Sequence, residues 1–96
     1  MREYEIVVIV RADLQEDDLT AQVETIKGWI TSRDGQVNEV NHWGRRRLAY
    51  PIARQQDGYY ILFKANLPST APLEIERSLR IAEGILRYLV IRGDDQ

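Results

Sequence analysis

Hydrophobic residues fall along this chain in two alternating rhythms. Residues 4–10 read YEIVVIV, rich in β-branched side chains, with apolar residues at both parities from Ile6 onward. That pattern fits an interior strand covered on both faces. Over residues 15–33 the rhythm changes: Leu19, Val23, Ile26 and Ile30 recur at offsets of four, three and four, one face of a helix. Glu16, Asp17 and Asp18 open it, where they complement the positive end of the helix dipole, and Asp34-Gly35 supplies a stop. Residues 37–50 then predict a long, partly irregular strand, followed by Pro51 and a polar turn over 55–58. Residues 59–67 alternate cleanly, with Tyr59, Ile61, Phe63, Ala65 and Leu67 on one face and Tyr60, Leu62, Lys64 and Asn66 on the other. Pro68-Ser69-Thr70 offers a turn and an N-cap, and Pro72 fits a first helical turn. Ile75, Leu79 and Ala82 then share a helical face that ends near Gly84. Residues 85–92 (ILRYLVIR) form a last strand, and the polar end 93–96 is expected to fray.

The order is strand, helix, strand, strand, helix, strand. The split βαβ rule and right-handed crossovers turn it into an α+β fold: a four-stranded antiparallel sheet with both helices on one face. With 96 residues there is one core, so residues 1–92 are read as a single domain. A sheet covered on one side leaves the other open. Tyr60 and Leu62, with Val7 and Ile9 from the first strand, make that outward face apolar and suited to docking. Scattered exposed apolar residues on a small domain are an equally good account of it.

Composition narrows the chemistry. There is no cysteine, which removes disulfides, thiolate metal sites and thiol nucleophiles. No basic leader or membrane-length apolar run follows Met1, so a soluble protein is expected. The lone histidine, His42, has no nucleophile motif beside it, and the six glycines are scattered, so neither acid–base catalysis nor a phosphate-cradling loop assembles. Glu16-Asp17-Asp18 runs around a helix instead of converging on a metal. Neither cofactor, metal nor small-molecule substrate is expected. A phosphate-cleaving enzyme on this fold would need a cradle after the first strand, yet Arg11-Ala12-Asp13-Leu14 there has no glycine and carries an acid. A metabolite-binding regulatory module would need convergent polar groups, and none stands out.

Charge is more telling in its distribution than in its sum. The net charge is −2, but residues 13–34 carry −4 and residues 35–65 carry +3, so an acidic helix region sits beside a basic strand region. Arg45, Arg46 and Arg47 are consecutive, and strand alternation puts Arg45 and Arg47 on one face and Arg46 on the other. Guanidinium forks match phosphate oxygens, which would suit an RNA backbone. Charges on an exposed strand also keep it from pairing with other chains, and spacing alone does not separate the two roles. Arg2, Arg87 and Arg92 add charge on two strands expected to be neighbours.

The opening MREYEIVVIV, the central GRRRLAYPIA followed by DGYYILFKANLP, and the closing LRIAEGILRYLVIR together resemble the bacterial small-subunit ribosomal protein S6 family, over residues 1 to about 92. The resemblance implies a ferredoxin-like βαββαβ fold, no enzymatic activity, and a place on the cytoplasmic ribosome as a structural constituent of the small subunit. It further implies binding to 16S ribosomal RNA in the central domain, as a heterodimer with ribosomal protein S18. Matched by position, the family's RNA-binding residues fall on Arg2, Arg46, Arg47, Arg54, Arg80 and Arg87. Its partner-facing strand falls on Leu48, Ala49, Tyr50 and Pro51, which the outward Tyr60 and Leu62 are expected to join. A basic partner would also explain how a chain with negative net charge holds RNA.

Overall fold

A computed structural model describes residues 1–93; the rest of the polar end expected to fray, residues 94–96, lies outside the described residues. The elements are β1 (Arg2–Arg11), α1 (Glu16–Ser32), β2 (Gln36–Ile52), β3 (Gln55–Leu67), α2 (Ala71–Ile81) and β4 (Ile85–Arg92). All strand pairs are antiparallel, in the order β2-β3-β1-β4, so β1 and β3 are interior and β2 and β4 are the two edges. This is the ferredoxin-like βαββαβ arrangement, with α1 and α2 packed on one face of the sheet.

Register decides which residues meet. Ile6 pairs with Phe63 and Val90, and Val8 with Ile61 and Tyr88, placing these side chains on the helix-facing side. There Ile6, Val8, Val10, Ile61, Phe63 and Ala65 are sealed from solvent beneath Val23, Ile26 and Ile30 of α1 and Ala71, Ile75 and Leu79 of α2. The core contains no buried polar residue among those described. Val7 instead pairs with Leu62 and Leu89, and Ile9 with Tyr60 and Arg87, so the opposite parity of every strand faces outward.

Four details depart from the sequence-based expectation. The hairpin turns at Ala53 and Arg54, whose φ angles of 49° and 67° are the positive values a two-residue hairpin loop takes, and Ile52 pairs with Gln55 across it. β3 therefore begins at Gln55, where the polar composition predicts a turn. Neither residue is glycine or asparagine, so each turn position works against the Cβ penalty of about 1–2 kcal/mol for left-handed backbone. α2 ends at Ile81, and Ala82 is extended instead of continuing the helical face. Thr70 occupies the N-cap position without a side-chain capping bond; the Ala71 amide donates to the Pro68 carbonyl instead. Finally, Leu62 faces outward as its parity demands but is only 6% exposed, flanked in register by Val7 and Asn41.

Candidate nucleic-acid and protein interface

The outward face is built around an arm. β2 pairs with β3 up to Arg47 opposite Asp57, with register shifts at Asn38 and Trp43 on the way, then loses register until Ile52 meets Gln55. The released segment, residues 48–51, folds back across the sheet. Leu48 settles 3.2 Å from where a Cβ on Gly58 would stand, and that same Cβ would strike the Ile9 side chain, so only glycine at 58 lets the arm lie this close. Leu48 is accordingly only 8% exposed. At the far side, Tyr50 reaches the opposite edge strand: the Arg87 guanidinium donates a hydrogen bond to the Tyr50 hydroxyl and lies 5.7 Å from its ring centre.

Between arm and sheet lies a groove of about 290 Å³, floored by Val7, Ile9 and Tyr60 and rimmed by Tyr50, Arg87 and Leu89. Its walls are mainly apolar, and Tyr50 and Leu89 each remain 55% exposed beside it. Of the six expected partner-facing positions, four matched to the family and two added from strand parity, Leu48 and Leu62 are buried within the chain itself. Ala49, Tyr50 and Pro51 are exposed on the arm, and Tyr60 is half-buried on the groove floor.

The arginines divide by charge partner. Arg45 is held by Asp57 across the hairpin, with its Nη2 3.0 Å from the carboxylate. Arg46, Arg47 and Arg54 make no ion pair among the described residues, so the hairpin presents three uncompensated guanidinium groups. Register alone divides them differently: Arg45 and Arg47 oppose Tyr59 and Asp57 on one parity and Arg46 opposes Gly58 on the outward parity, yet the Asp57 carboxylate takes the diagonal Arg45 and not Arg47 directly opposite. Arg87 stands on the outward face beneath Tyr50, within the same end of the sheet. Arg80 lies in the last turn of α2, where hydrogen bonding with Tyr88 shifts its guanidinium pKa upward. Arg2 pairs with Leu67 at the other end of β1, roughly 30 Å along the strand from the level of Arg46, so the fold does not bring it to the cluster.

Two residues at the site escape a reading by composition. Asp57 selects which arginine of the run is neutralised, and only the side-chain geometry, which turns its carboxylate to Arg45 instead of Arg47 opposite, reveals it. Trp43 is the other. Between His42 opposite Ile61 and Gly44 opposite Tyr60 the ladder skips a residue, a bulge that Gly44 permits with a φ of 90°. The extra residue is Trp43, turned onto the outward side, where its ring stacks on Tyr60 with centroids 6.4 Å apart and planes 19° from parallel. The Trp-Gly pair before the arginine run was the available signal.

A family model described as Ribosomal protein S6 matches residues 3–92. The small ribosomal subunit protein bS6 of Desulforudis audaxviator is 40% identical over 94 residues, covering 98% of this chain and all of that protein. That of Clostridium novyi is 44% identical over 96 residues, covering 98% of this chain and 99% of the relative. The crystal structure of 30S ribosomal protein S6 from Thermotoga maritima superimposes with a TM-score of 0.91 at 27% identity, covering 98% of this chain and 89% of that one. The C-terminal domain of MgtC from Mycobacterium tuberculosis also shares the fold, with a TM-score of 0.57 at 13% identity, so the architecture by itself assigns no role. Sequence over nearly the whole length does assign one: the chain belongs to the ribosomal protein S6 family, structural and non-enzymatic proteins of the small ribosomal subunit.

Proposed function

We propose that this chain binds 16S ribosomal RNA in the central domain of the small subunit as one half of a heterodimer with ribosomal protein S18. The observation that carries the reading is the division of labour on one end of the sheet: uncompensated Arg46, Arg47 and Arg54 on the hairpin, beside an apolar groove rimmed by Tyr50 and Leu89. The arginines supply phosphate contacts, joined by Arg87, and position the RNA without reading its bases. Arg80 and Arg2 stand on other parts of the domain and meet the RNA only where it wraps beyond the hairpin. The groove, with Ala49, Tyr50, Pro51 and Tyr60, receives S18, while Leu48 and Leu62 support it from beneath. A net charge of −2 offers RNA little attraction by itself, so the partner contributes part of the phosphate neutralisation.

The test uses the purified heterodimer and a central-domain RNA fragment across several salt concentrations. Neutralising Arg46, Arg47 or Arg87 singly is expected to reduce the salt slope by about 0.7–0.9 for each phosphate that the variant no longer neutralises. Ala49→Arg, on the exposed rim of the groove, is expected to weaken heterodimer formation without disturbing the fold. Unchanged slopes in all three arginine variants and an unchanged dissociation constant for Ala49→Arg would together remove the reading.

A further inference from the structure

We propose that Trp43 and Arg46 form a receptor for one unpaired nucleobase of the RNA, stacked on the open side of the indole and covered by the guanidinium. This rests on the RNA-binding reading above and deepens it, because it adds a base contact at Trp43 and gives the Arg46 guanidinium a base to cover while its charge still neutralises phosphate. The bulge at Trp43 gives the platform its shape. In an unbroken ladder Trp43 would itself oppose Tyr60; with the extra residue, Trp43 and Gly44 share that position, and the indole lies nearly parallel to the phenol in an offset stack. Tyr60 thus covers part of one face of the ring, and Trp43 still keeps 43% of its surface in solvent. Arg46, two residues past the bulge, has the same outward parity and holds its guanidinium 5.7 Å from the indole centre.

The chemistry favours a base over other occupants. Asp57 neutralises Arg45 and leaves Arg46 without a carboxylate among the described residues, so Arg46 can shift aside and then close over a planar guest. Aromatic rings and guanidinium planes are the two surfaces on which splayed-out RNA bases stack. A base within a duplex has both faces covered by its neighbours and cannot enter, so the platform selects unpaired nucleotides and tolerates any of the four. Arg47, on the opposite parity, is free for the flanking phosphate. The apolar groove lies on the other side of Tyr60 and is a separate surface. Trp43 is not part of the core beneath the helices, so a structural role there does not account for its exposed ring.

The experiment uses the full chain in its heterodimer with S18. Trp43→Ala is expected to weaken binding of a central-domain RNA fragment by about fivefold or more, while Trp43→Phe, which keeps a stacking face, stays within about twofold of the parent. In a Trp29→Phe background labelled with 5-fluorotryptophan, only Trp43 reports. Its fluorine resonance is expected to move when the fragment is added to the preformed heterodimer, and to stay in place with a fully paired RNA of equal length. If the fragment binds but Trp43→Ala binds as well as the parent and the resonance stays still, the base receptor is overturned while the phosphate reading stands. A resonance that moves on adding S18 alone, with no further change on adding RNA, assigns the ring to the protein interface and overturns it too. If the parent heterodimer binds no RNA, the RNA-binding reading fails first and the base receptor with it.

Discussion

Val90 and Leu89 are neighbours on β4, yet Val90 turns toward the helices and packs on the core, while Leu89 turns outward and stays more than half exposed. The same divergence runs through every strand. On the helix side, Ile6, Val8, Ile61 and Phe63 have no solvent contact at all, because two helices supply matching apolar faces. On the outward side, among the described residues, the arm over 48–51 lays Leu48 against Gly58 and Leu62 is buried between Val7 and Asn41, but Tyr50, Leu89 and Trp43 stay in water. One face is complete within the chain. The other is closed only in part, which is what a protein of the cytoplasmic ribosome needs if its stability is to be independent of the surface it offers to neighbours.

The comparison makes graded demands on mutagenesis. Phe63→Ala, in the middle of the closed face, is expected to cost about 3–5 kcal/mol and to lower the denaturant midpoint more than any outward substitution. Gly58→Ala acts where the arm meets the sheet. Its methyl collides with Ile9, so a loss of about 1–3 kcal/mol is expected, with Leu48 becoming accessible to hydrogen exchange or proteolysis around the arm. Pairing it with Ile9→Ala is expected to recover much of that loss; a simple sum of two losses would mean the arm is not held as described. Leu89→Ser should change the stability of the isolated chain by no more than about 0.5 kcal/mol while weakening S18 binding, and a loss comparable with that at Phe63 would show that the outward face is a second core. The smallest effect belongs to Arg11 and Asp13, an exposed pair at the end of β1. The hydrogen bond from Arg11 holds the Asp13 carboxyl below its usual pKa, so what stability the pair adds is present above the ordinary carboxylate range and lost as pH falls through the lowered value. Asp13→Asn should leave the urea midpoint at neutral pH almost unchanged and flatten the acid limb only slightly.

Legibility differed between these regions for physical reasons. The alternation over 59–67 and the helical spacing of Val23, Ile26 and Ile30 could be read directly, because each is a local periodicity locked to one buried face. The turn at Ala53-Arg54 could not: turn chemistry is recognised by glycine or asparagine, and here left-handed backbone is imposed on two residues by the pairing of Ile52 with Gln55. Ala82 fell on a good helical face, but the chain must leave α2 at Ile81 for β4 to start where it pairs with Val10. Leu62 had the correct parity and the wrong exposure, since parity is local and burial depends on what arrives from elsewhere in the chain.

The order of elements, the side of the sheet that carries the core, the basic character of β2 and, through its blocks of family residues, membership of a ribosomal family can all be read from the residues alone. Long-range pairing and packing decided which arginine Asp57 neutralises, how far Arg2 lies from the rest, where the Trp43 bulge turns its ring, and how the 48–51 arm divides the outward face into covered and open parts. Each of these depends on cross-strand register or on a segment folding over a distant strand. Such contacts are made between residues far apart in sequence, and their geometry follows from strand pairing and steric fit, as at Gly58, that no periodicity within one segment encodes.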